Sequence, residues 1–194
     1  RNQEAATADA STEFDYRLFD LEASRWFQLN DVTAFRCFAG LSWIDTDQEL
    51  LIHYDGNDFN DGIVLNRQND TGFGIRVGGQ SHWDLNCKYS LFARVDSRVM
   101  FTNTDLMLLE TNNSGVDVIL DLTDSFTTPV ANLGAAVGMA YYVGSWELRA
   151  GYELTHWFNL GIRSGFDDAH VGAYDPVSND ILLDGFFLSA TCSY

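Results

Sequence analysis

The sequence lacks any run of about 18 or more consecutive apolar residues, which is the length that a membrane-spanning helix requires. The nearest candidate, Val130 to Trp146, is short, contains Asn132 and is interrupted by Gly134, Gly138 and Gly144. A continuous helical span is therefore excluded, and we interpret this segment as a glycine-containing strand followed by a turn.

Lysine, proline and cysteine are also scarce. Lys88 is the single lysine of a chain whose net charge is −17, which argues against nucleic acid as a partner. The 3 cysteines cannot all pair within one chain, and the spacing of Cys37, Cys87 and Cys192 matches no zinc site. We expect small buried or lipid-facing thiols, with a disulfide between subunits in an oxidising compartment as the alternative.

Motifs for catalysis and cofactor binding are missing as well. The 4 histidines are far apart, and no Ser/His/Asp or Cys/His arrangement has a recognisable local motif. The acidic stretch over residues 55–62 has neither the residue order of a calcium loop nor the closing glutamate. We therefore expect no catalytic residues, no cofactor and no metal site.

What the sequence does contain is alternation of apolar and polar residues, most clearly in its last stretch. Between Phe186 and Tyr194, every second residue is apolar, and Ser189, Thr191 and Ser193 lie between them. A period of two indicates a β-strand with one apolar and one polar face. The closing strands of bacterial outer-membrane β-barrels look similar, and there the pattern with its terminal aromatic serves as an assembly signal.

The same alternation recurs in six further segments. They are Phe19 to Trp26, Phe35 to Trp43, Gly72 to Trp83, Tyr89 to Arg98, Asn132 to Tyr141, and Trp146 to Thr155. Most are near the roughly 9–11 residues that a tilted transmembrane strand needs. We predict an all-β fold, an antiparallel transmembrane β-barrel with about seven or eight visible strands, in a single domain over residues 1–194.

The connections between these strands predict an orientation. Three are tight turns, and the other three, Asp45 to Thr71, Phe101 to Phe126, and Asn159 to Asp180, are interpreted as long loops. Short periplasmic turns and long extracellular loops are typical of outer-membrane barrels. The long segments carry 16 acidic and 2 basic residues, which is −14 of the total charge. Such loops would enrich cations at a pore mouth or simply keep the surface soluble.

The polar strand faces carry charges of both signs, which would be costly inside a dry core unless each were paired. Lining a water-filled lumen removes that cost, and a plugged, non-conducting network is the alternative. The predicted pore-lining residues are Arg36, Arg76, His82, Arg94, Asp96, Arg98, Glu147, Arg149 and Glu153.

Aromatic residues cluster near the predicted strand ends, and two bands of amphipathic rings are what the two membrane interfaces favour. The predicted interface aromatics are Trp26, Trp43, Trp83, Tyr89, Tyr141, Trp146, Trp157 and Tyr194.

Four segments carry a family resemblance: Asp20 to Phe27, Arg36 to Trp43, Gly72 to Gly79, and Ala150 to Asn159. They resemble the pore-forming major-outer-membrane-protein-like barrels, with Gly-Phe-Gly-x-Arg-x-Gly and Gly-Tyr-Glu-x-x-x-Trp-Phe as the most specific blocks. The resemblance runs from about Phe14 to Tyr194. It implies a bacterial outer-membrane porin and brings no catalytic residues.

The strand count departs from this family, because single-chain bacterial barrels have an even number of strands. Seven strands would fit the C-terminal portion of a larger barrel. Alternatively, Asp117 to Leu122 contributes a further strand.

The sequence thus predicts an outer-membrane pore for passive diffusion of small solutes or ions. Its expected partners are outer-membrane lipid, the barrel-assembly machinery through the C-terminal strand, and the solutes themselves, and a homo-oligomer is allowed. The alternatives are a soluble all-β ligand-binding module and a non-conducting surface adhesin or structural barrel.

Overall fold

A computed structural model describes residues 5–56, 60–161, 164–166, 174–176 and 179–192. The strands are β1 (Ala5–Asn30), β2 (Thr33–Gly56), β3 (Gly62–Asp84), β4 (Tyr89–Asn112), β5 (Asp117–Val143), β6 (Trp146–Gly161), β7 (Ser164–Phe166), β8 (Tyr174–Pro176) and β9 (Asn179–Cys192). Seven of them form one antiparallel sheet in the order β1-β2-β3-β4-β5-β6-β9, while β7 and β8 pair with each other. The predicted all-β antiparallel fold is confirmed.

Three tight turns, at residues 31–32, 85–88 and 144–145, lie at one end of the sheet, which we call the hairpin end. Side-chain carbonyls stabilise two of them: Asn30 Oδ1 accepts the Val32 N–H at 3.0 Å, and Asn86 Oδ1 accepts the Lys88 N–H at 2.9 Å. Gly144 has a φ of 58°, a left-handed conformation that glycine adopts without steric cost. The three short connections therefore lie where the sequence predicts them.

In two of the three predicted long loops, most of the described residues belong to strands instead. The segments 45–56 and 62–71 continue β2 and β3 without a break in their ladder, and β4 and β5 pair as far as Asn112 and Asp117. The prediction failed because these segments do not keep the apolar-outside alternation by which strands were recognised. Asp117 to Leu122 is the far part of β5 rather than an additional strand. The third predicted loop contains β7 and β8, and the rest of it lies partly outside the described residues.

The sheet curls, so that it has a convex and a concave face. Side chains on the concave face of β1 reach β4 and β6: Asp20 hydrogen-bonds Arg98, and the Tyr16 ring lies 6.0 Å from that of Trp157. Strands β1 and β9 form the two edges and run in the same direction, and no backbone ladder joins them within the described residues.

The two faces differ in polarity in the half of the sheet nearer the hairpin end. Most large convex side chains here are apolar and exposed, and we call them the outer band; Arg25 and Asp184 are charged exceptions on the same face. Its large members are Phe19, Leu21, Leu41, Trp43, Phe73, Ile75, Val77, Leu91, Val95, Val99, Phe101, Leu133, Val137, Met139, Leu148, Tyr152, Leu154, Phe186 and Leu188. Concave neighbours such as Ser42, Arg76 and Asp96 are buried. The predicted facing of β9 is confirmed from Phe186 to Cys192, and Tyr194 lies outside the described residues.

No helix long and apolar enough to cross a membrane occurs among the described residues. The three cysteines are free, and all three are exposed, with Cys37 and Cys192 on strands and Cys87 in the turn between β3 and β4. None of them is buried, which was one of the two expected settings.

Candidate functional site in the concave interior

The concave face holds three successive layers of side chains, which together form the candidate functional site. The charged layer, closest to the hairpin end, consists of Asp20, Glu22, Arg36, Arg76, Arg94, Asp96, Arg98 and Glu153. The apolar layer consists of Tyr16, Leu18, Ile44, Met100, Val130, Trp157, Leu160, Ile181 and Leu183. The polar layer, furthest from the hairpin end, consists of Thr46, Gln48, Asn66, Gln68, Asp70 and Thr104.

Asp96 on β4 is the centre of the charged layer. Its side chain is 3% exposed and lies 2.8 Å from Arg98 Nη1, 3.2 Å from Arg76 Nη2 and 3.3 Å from Arg94 Nε. A carboxylate buried to this degree is tolerated only when cations and hydrogen bonds compensate for its lost hydration. Three arginines from two neighbouring strands provide that compensation.

Strand β1 supplies the second set of anions. Asp20 accepts hydrogen bonds from Arg98 Nη2 at 2.7 Å and from Arg76 Nη1 at 3.1 Å, and Glu22 contacts Arg76 and Arg36. Glu153 on β6 lies 3.3 Å from Arg94 Nη2. Each of the four arginines therefore faces at least one carboxylate, and the formal charges of the layer cancel.

An aromatic ring supports this network. Phe38 lies beneath two guanidinium groups, 4.8 Å from that of Arg76 and 5.3 Å from that of Arg36. Gly78 opposes it, and a Cβ on Gly78 would lie 2.4 Å from the ring, so only glycine leaves room for the phenyl group. The stacking helps to orient the arginines toward the interior.

A smaller polar cluster lies at the mouth of the hairpin end. Arg149 binds Glu147 through two hydrogen bonds of 2.9 Å, and Tyr142 Oη donates to the same carboxylate. His82 lies between the rings of Trp26 and Phe92, at centroid distances of 5.1 and 5.9 Å. This end of the interior is therefore lined by both charged and aromatic groups.

A cavity of about 280 Å³ adjoins the charged layer between β1, β4, β6 and β9. Its wall includes Arg94, Asp96, Arg98 and Glu153, with Tyr16 and Leu18 on its apolar side. The side chains of Arg94 and Glu153 remain 33% and 47% exposed, so the charged layer is partly open. A small polar or charged solute could contact these groups.

The apolar layer crosses the interior next to this cavity. Ile44, Met100, Val130, Trp157 and Leu160 are all completely buried. Beyond them, Asp70 of the polar layer accepts hydrogen bonds from Gln68 Nε2 at 2.9 Å, from Thr104 and from Thr46. The interior is thus polar on both sides of a fully buried apolar layer.

The end of β6 bends into this layer. The β6–β9 ladder pairs Trp157 with Ile181 and next pairs Gly161 with Asn179, so β6 carries extra residues over this stretch. Asn159 within it has a φ of 62°, and its N–H donates to Asp180 Oδ1 at 3.1 Å. That bond, followed by one from His156, lowers the pKa of the exposed Asp180 carboxyl below its ordinary value.

All nine side chains predicted to line a pore belong to the concave side of their strands. They are Arg36, Arg76, His82, Arg94, Asp96, Arg98, Glu147, Arg149 and Glu153. Six of them belong to the charged layer, where ion pairs and the cavity wall connect them. His82, Glu147 and Arg149 form the separate cluster near the hairpin end.

Two of the predicted interface aromatics do not face outward. Trp157 is completely buried in the apolar layer, and Trp26 packs against the concave His82. The physical reason is register, because Trp157 has the parity of Glu153 and Trp26 has that of Asp20 and Glu22. Trp43, Trp83, Tyr89, Tyr141 and Trp146 have the parity of the outer band.

The predicted pore-lining set omits Asp20 and Glu22. Both lie on β1 and form ion pairs with arginines of the concave face. Alternation with Phe19 and Leu21 already places them on the polar face. No local signal marks Leu160, whose role depends on the inward bend of β6.

A family model described as the Legionella pneumophila major outer membrane protein precursor matches residues 1–193 of the chain. No curated protein and no solved structure matches the chain.

Proposed function

Because the chain belongs to this Legionella major outer membrane protein family, and is therefore a protein of the bacterial outer membrane, we propose that it forms a passive pore for small solutes or ions. In this proposal the chain has no catalytic role. The concave charged layer and the cavity beside it are the passage, and the outer band contacts lipid. Residues 35–43 of β2, which carry the band on that strand, match the roughly 9–11 residues that cross a bilayer.

One observation carries the proposal: charged side chains lie on the inner face while large apolar side chains are exposed on the outer face. Phe186 is 90% exposed and Leu188 86%, whereas Arg76, Asp96 and Arg98 are at most 7% exposed. In water such an arrangement would leave a wide apolar surface unburied. In a bilayer the same arrangement is the expected one, with lipid outside and a hydrated lumen inside.

The proposed orientation puts the hairpin end at the periplasm and the other end outside the cell. Acidic residues cover the convex face beyond the outer band, including Asp15, Asp45, Asp47 and Asp105. A negative rim of this kind would raise the local concentration of cations at the entrance. In this orientation β9 ends at the periplasmic side, where the assembly machinery would contact it.

The apolar layer favours a second candidate, a structural barrel that conducts nothing. Five completely buried side chains lie across the interior, and small barrels are commonly filled by side chains. The soluble ligand-binding alternative does not agree with membership of an outer-membrane family.

Recording currents across planar lipid bilayers tests the pore. Protein whose electrophoretic mobility differs between boiled and unboiled samples, which indicates a folded barrel, is expected to produce discrete current steps. Arg94→Glu should shift the reversal potential toward cation selectivity, because it places a carboxylate in the cavity wall. Arg67→Glu on the convex face is the matched control and should leave selectivity nearly unchanged. Folded protein without any current steps would favour the structural barrel.

A further inference from the structure

We propose that the apolar layer is the barrier of the passage and that the end of β6, residues 157–161, is the element that holds it closed. The inference rests on the proposed pore function and assigns its regulation to specific residues. The five residues are named the β6 end segment. Two of them, Trp157 and Leu160, supply completely buried side chains to the layer.

The layer extends across the whole interior. Its side chains come from β1, β2, β4, β5, β6 and β9. Strand β3 contributes Gly72, where a Cβ would lie 2.5 Å from Thr102 Cγ2 and 3.1 Å from Ile44 Cγ2. The packing therefore leaves no space for a side chain at that position, and every strand of the main sheet takes part in the closure.

An apolar constriction between two polar compartments is a physical barrier to ions. Ions and small polar solutes must lose hydration to pass it, and the layer offers little besides the Tyr16 hydroxyl to replace that hydration. Constrictions of this type close channels by excluding water. The charged layer and Asp70 lie on opposite sides of the constriction, and the cavity beside the charged layer can hold water while the apolar layer stays dry.

Only the middle of the β6 end segment lies outside the β-ladder. Trp157 and Phe158 stay paired with β5, and the ladder with β9 skips the residues between Trp157 and Gly161. In that gap Gln48 Nε2 donates to the Leu160 carbonyl at 2.7 Å, and Asp180 accepts the Asn159 N–H. Residues 159–160 can therefore shift Leu160 out of the layer while the strand pairing on either side of them is kept.

The first experiment removes part of the barrier. Trp157→Ala and Leu160→Ala are each expected to raise single-channel conductance several-fold over the parent protein, because each opens space in the dry layer. Trp43→Ala is the matched control, since Trp43 adjoins Ile44 in sequence but belongs to the outer band. Its conductance should equal that of the parent. Leu160→Ala keeps the test valid if loss of the tryptophan prevents folding.

The second experiment does not depend on current. Cys37, Cys87 and Cys192 are replaced by serine, and Thr155→Cys is introduced in the cavity wall on the hairpin side of the layer. A charged, membrane-impermeant thiol reagent is then added outside lipid vesicles. A separate Ser125→Cys protein, with its thiol on the far part of β5, identifies preparations in which that end faces outward.

Faster labelling of Thr155→Cys in the Trp157→Ala or Leu160→Ala background, but not in the Trp43→Ala background, supports the barrier. If labelling accelerates in this way while no protein conducts, the barrier is upheld and the pore proposal fails. If labelling is the same in all backgrounds, whether fast or slow, the barrier is overturned. Currents recorded in that case would leave the pore proposal standing.

Discussion

The convex face of the sheet changes from apolar to polar between two neighbouring rows of outward-facing side chains. The apolar row consists of Phe19, Trp43, Phe73 and Phe101. The next row consists of Arg17, Asp45, Thr71 and Asn103. We call the sheet beyond this boundary the extension; it contains residues 5–17, 45–56, 62–71, 103–112 and 117–127.

The concave face of the extension is mixed. It holds the polar layer, and Val64, Leu106 and Leu108 are buried beside that layer. On the convex side, Asp47, Arg67, Asn69 and Asp105 are exposed. The extension therefore has a polar outer face and a mixed interior, whereas the half nearer the hairpin end has an apolar outer face and a charged layer inside.

The backbone does not change at this boundary. Strands β2, β3 and β4 pass through it with an uninterrupted register. The far part of β2, residues 45–56, spans about 40 Å at roughly 3.3 Å per residue. The difference teaches that the face polarity of one continuous sheet can change along its strands, because it is set by side chains alone. In the proposed arrangement, the change of polarity marks the edge of the membrane.

The largest expected effect comes from removing the centre of the charged layer. Asp96→Ala leaves three arginines without their shared carboxylate, and we expect the free energy of unfolding to fall by about 3–5 kcal/mol. Urea unfolding in lipid vesicles, followed by tryptophan fluorescence, measures it. Asp105→Ala, an exposed aspartate of the extension, is the control and should change stability by about 0.5 kcal/mol or less. Equal effects at the two sites would contradict the distinction between the two regions.

A smaller effect is expected when a charge is placed on the convex face. Ile75→Arg puts a guanidinium into the outer band and should cost about 2–4 kcal/mol if it reaches the middle of the bilayer. Asn69→Arg changes the same face of the same strand within the extension and should cost little. The same unfolding measurement compares the two variants. Similar costs at positions 69 and 75 would show that the membrane edge lies elsewhere.

The smallest effect concerns Tyr54 in the extension. Burial, and then the hydrogen bond of 2.8 Å to Glu110, raise the pKa of Tyr54 above the usual tyrosine value. The neutral phenol is favoured in the folded state, so this contribution to stability is complete below the ordinary pKa of tyrosine and is lost as pH rises toward the folded value. Absorbance titration at about 295 nm should show a late phase from several tyrosines, and its amplitude should fall by one tyrosine in Tyr54→Phe. An unchanged late phase in that variant would assign it to other tyrosines.

The sequence predicted the outer band and the concave charges because the side-chain period of a strand is local. Alternation around Ile75 and Arg76, or Phe186 and Leu188, places each residue on a face whatever the partner strand is. The same rule places Trp157 and Trp26 on the inner face, but they were assigned to the membrane interface by proximity to strand ends alone. In the extension, the outer face turns polar and the inner face is mixed, so the alternation is lost and strands there were interpreted as loops.

Alternation, turns and face polarity were thus determined by the sequence itself, since each depends on residues that are close along the chain. The contacts inside the sheet were decided by tertiary structure alone. Asp20 and Arg98 meet across three strand intervals, and Gln48 reaches the Leu160 carbonyl from β2, only because the sheet curls. Curvature depends on the cumulative twist of all strands, which no short stretch of sequence encodes. The charged network and its apolar barrier are therefore properties of the curled sheet.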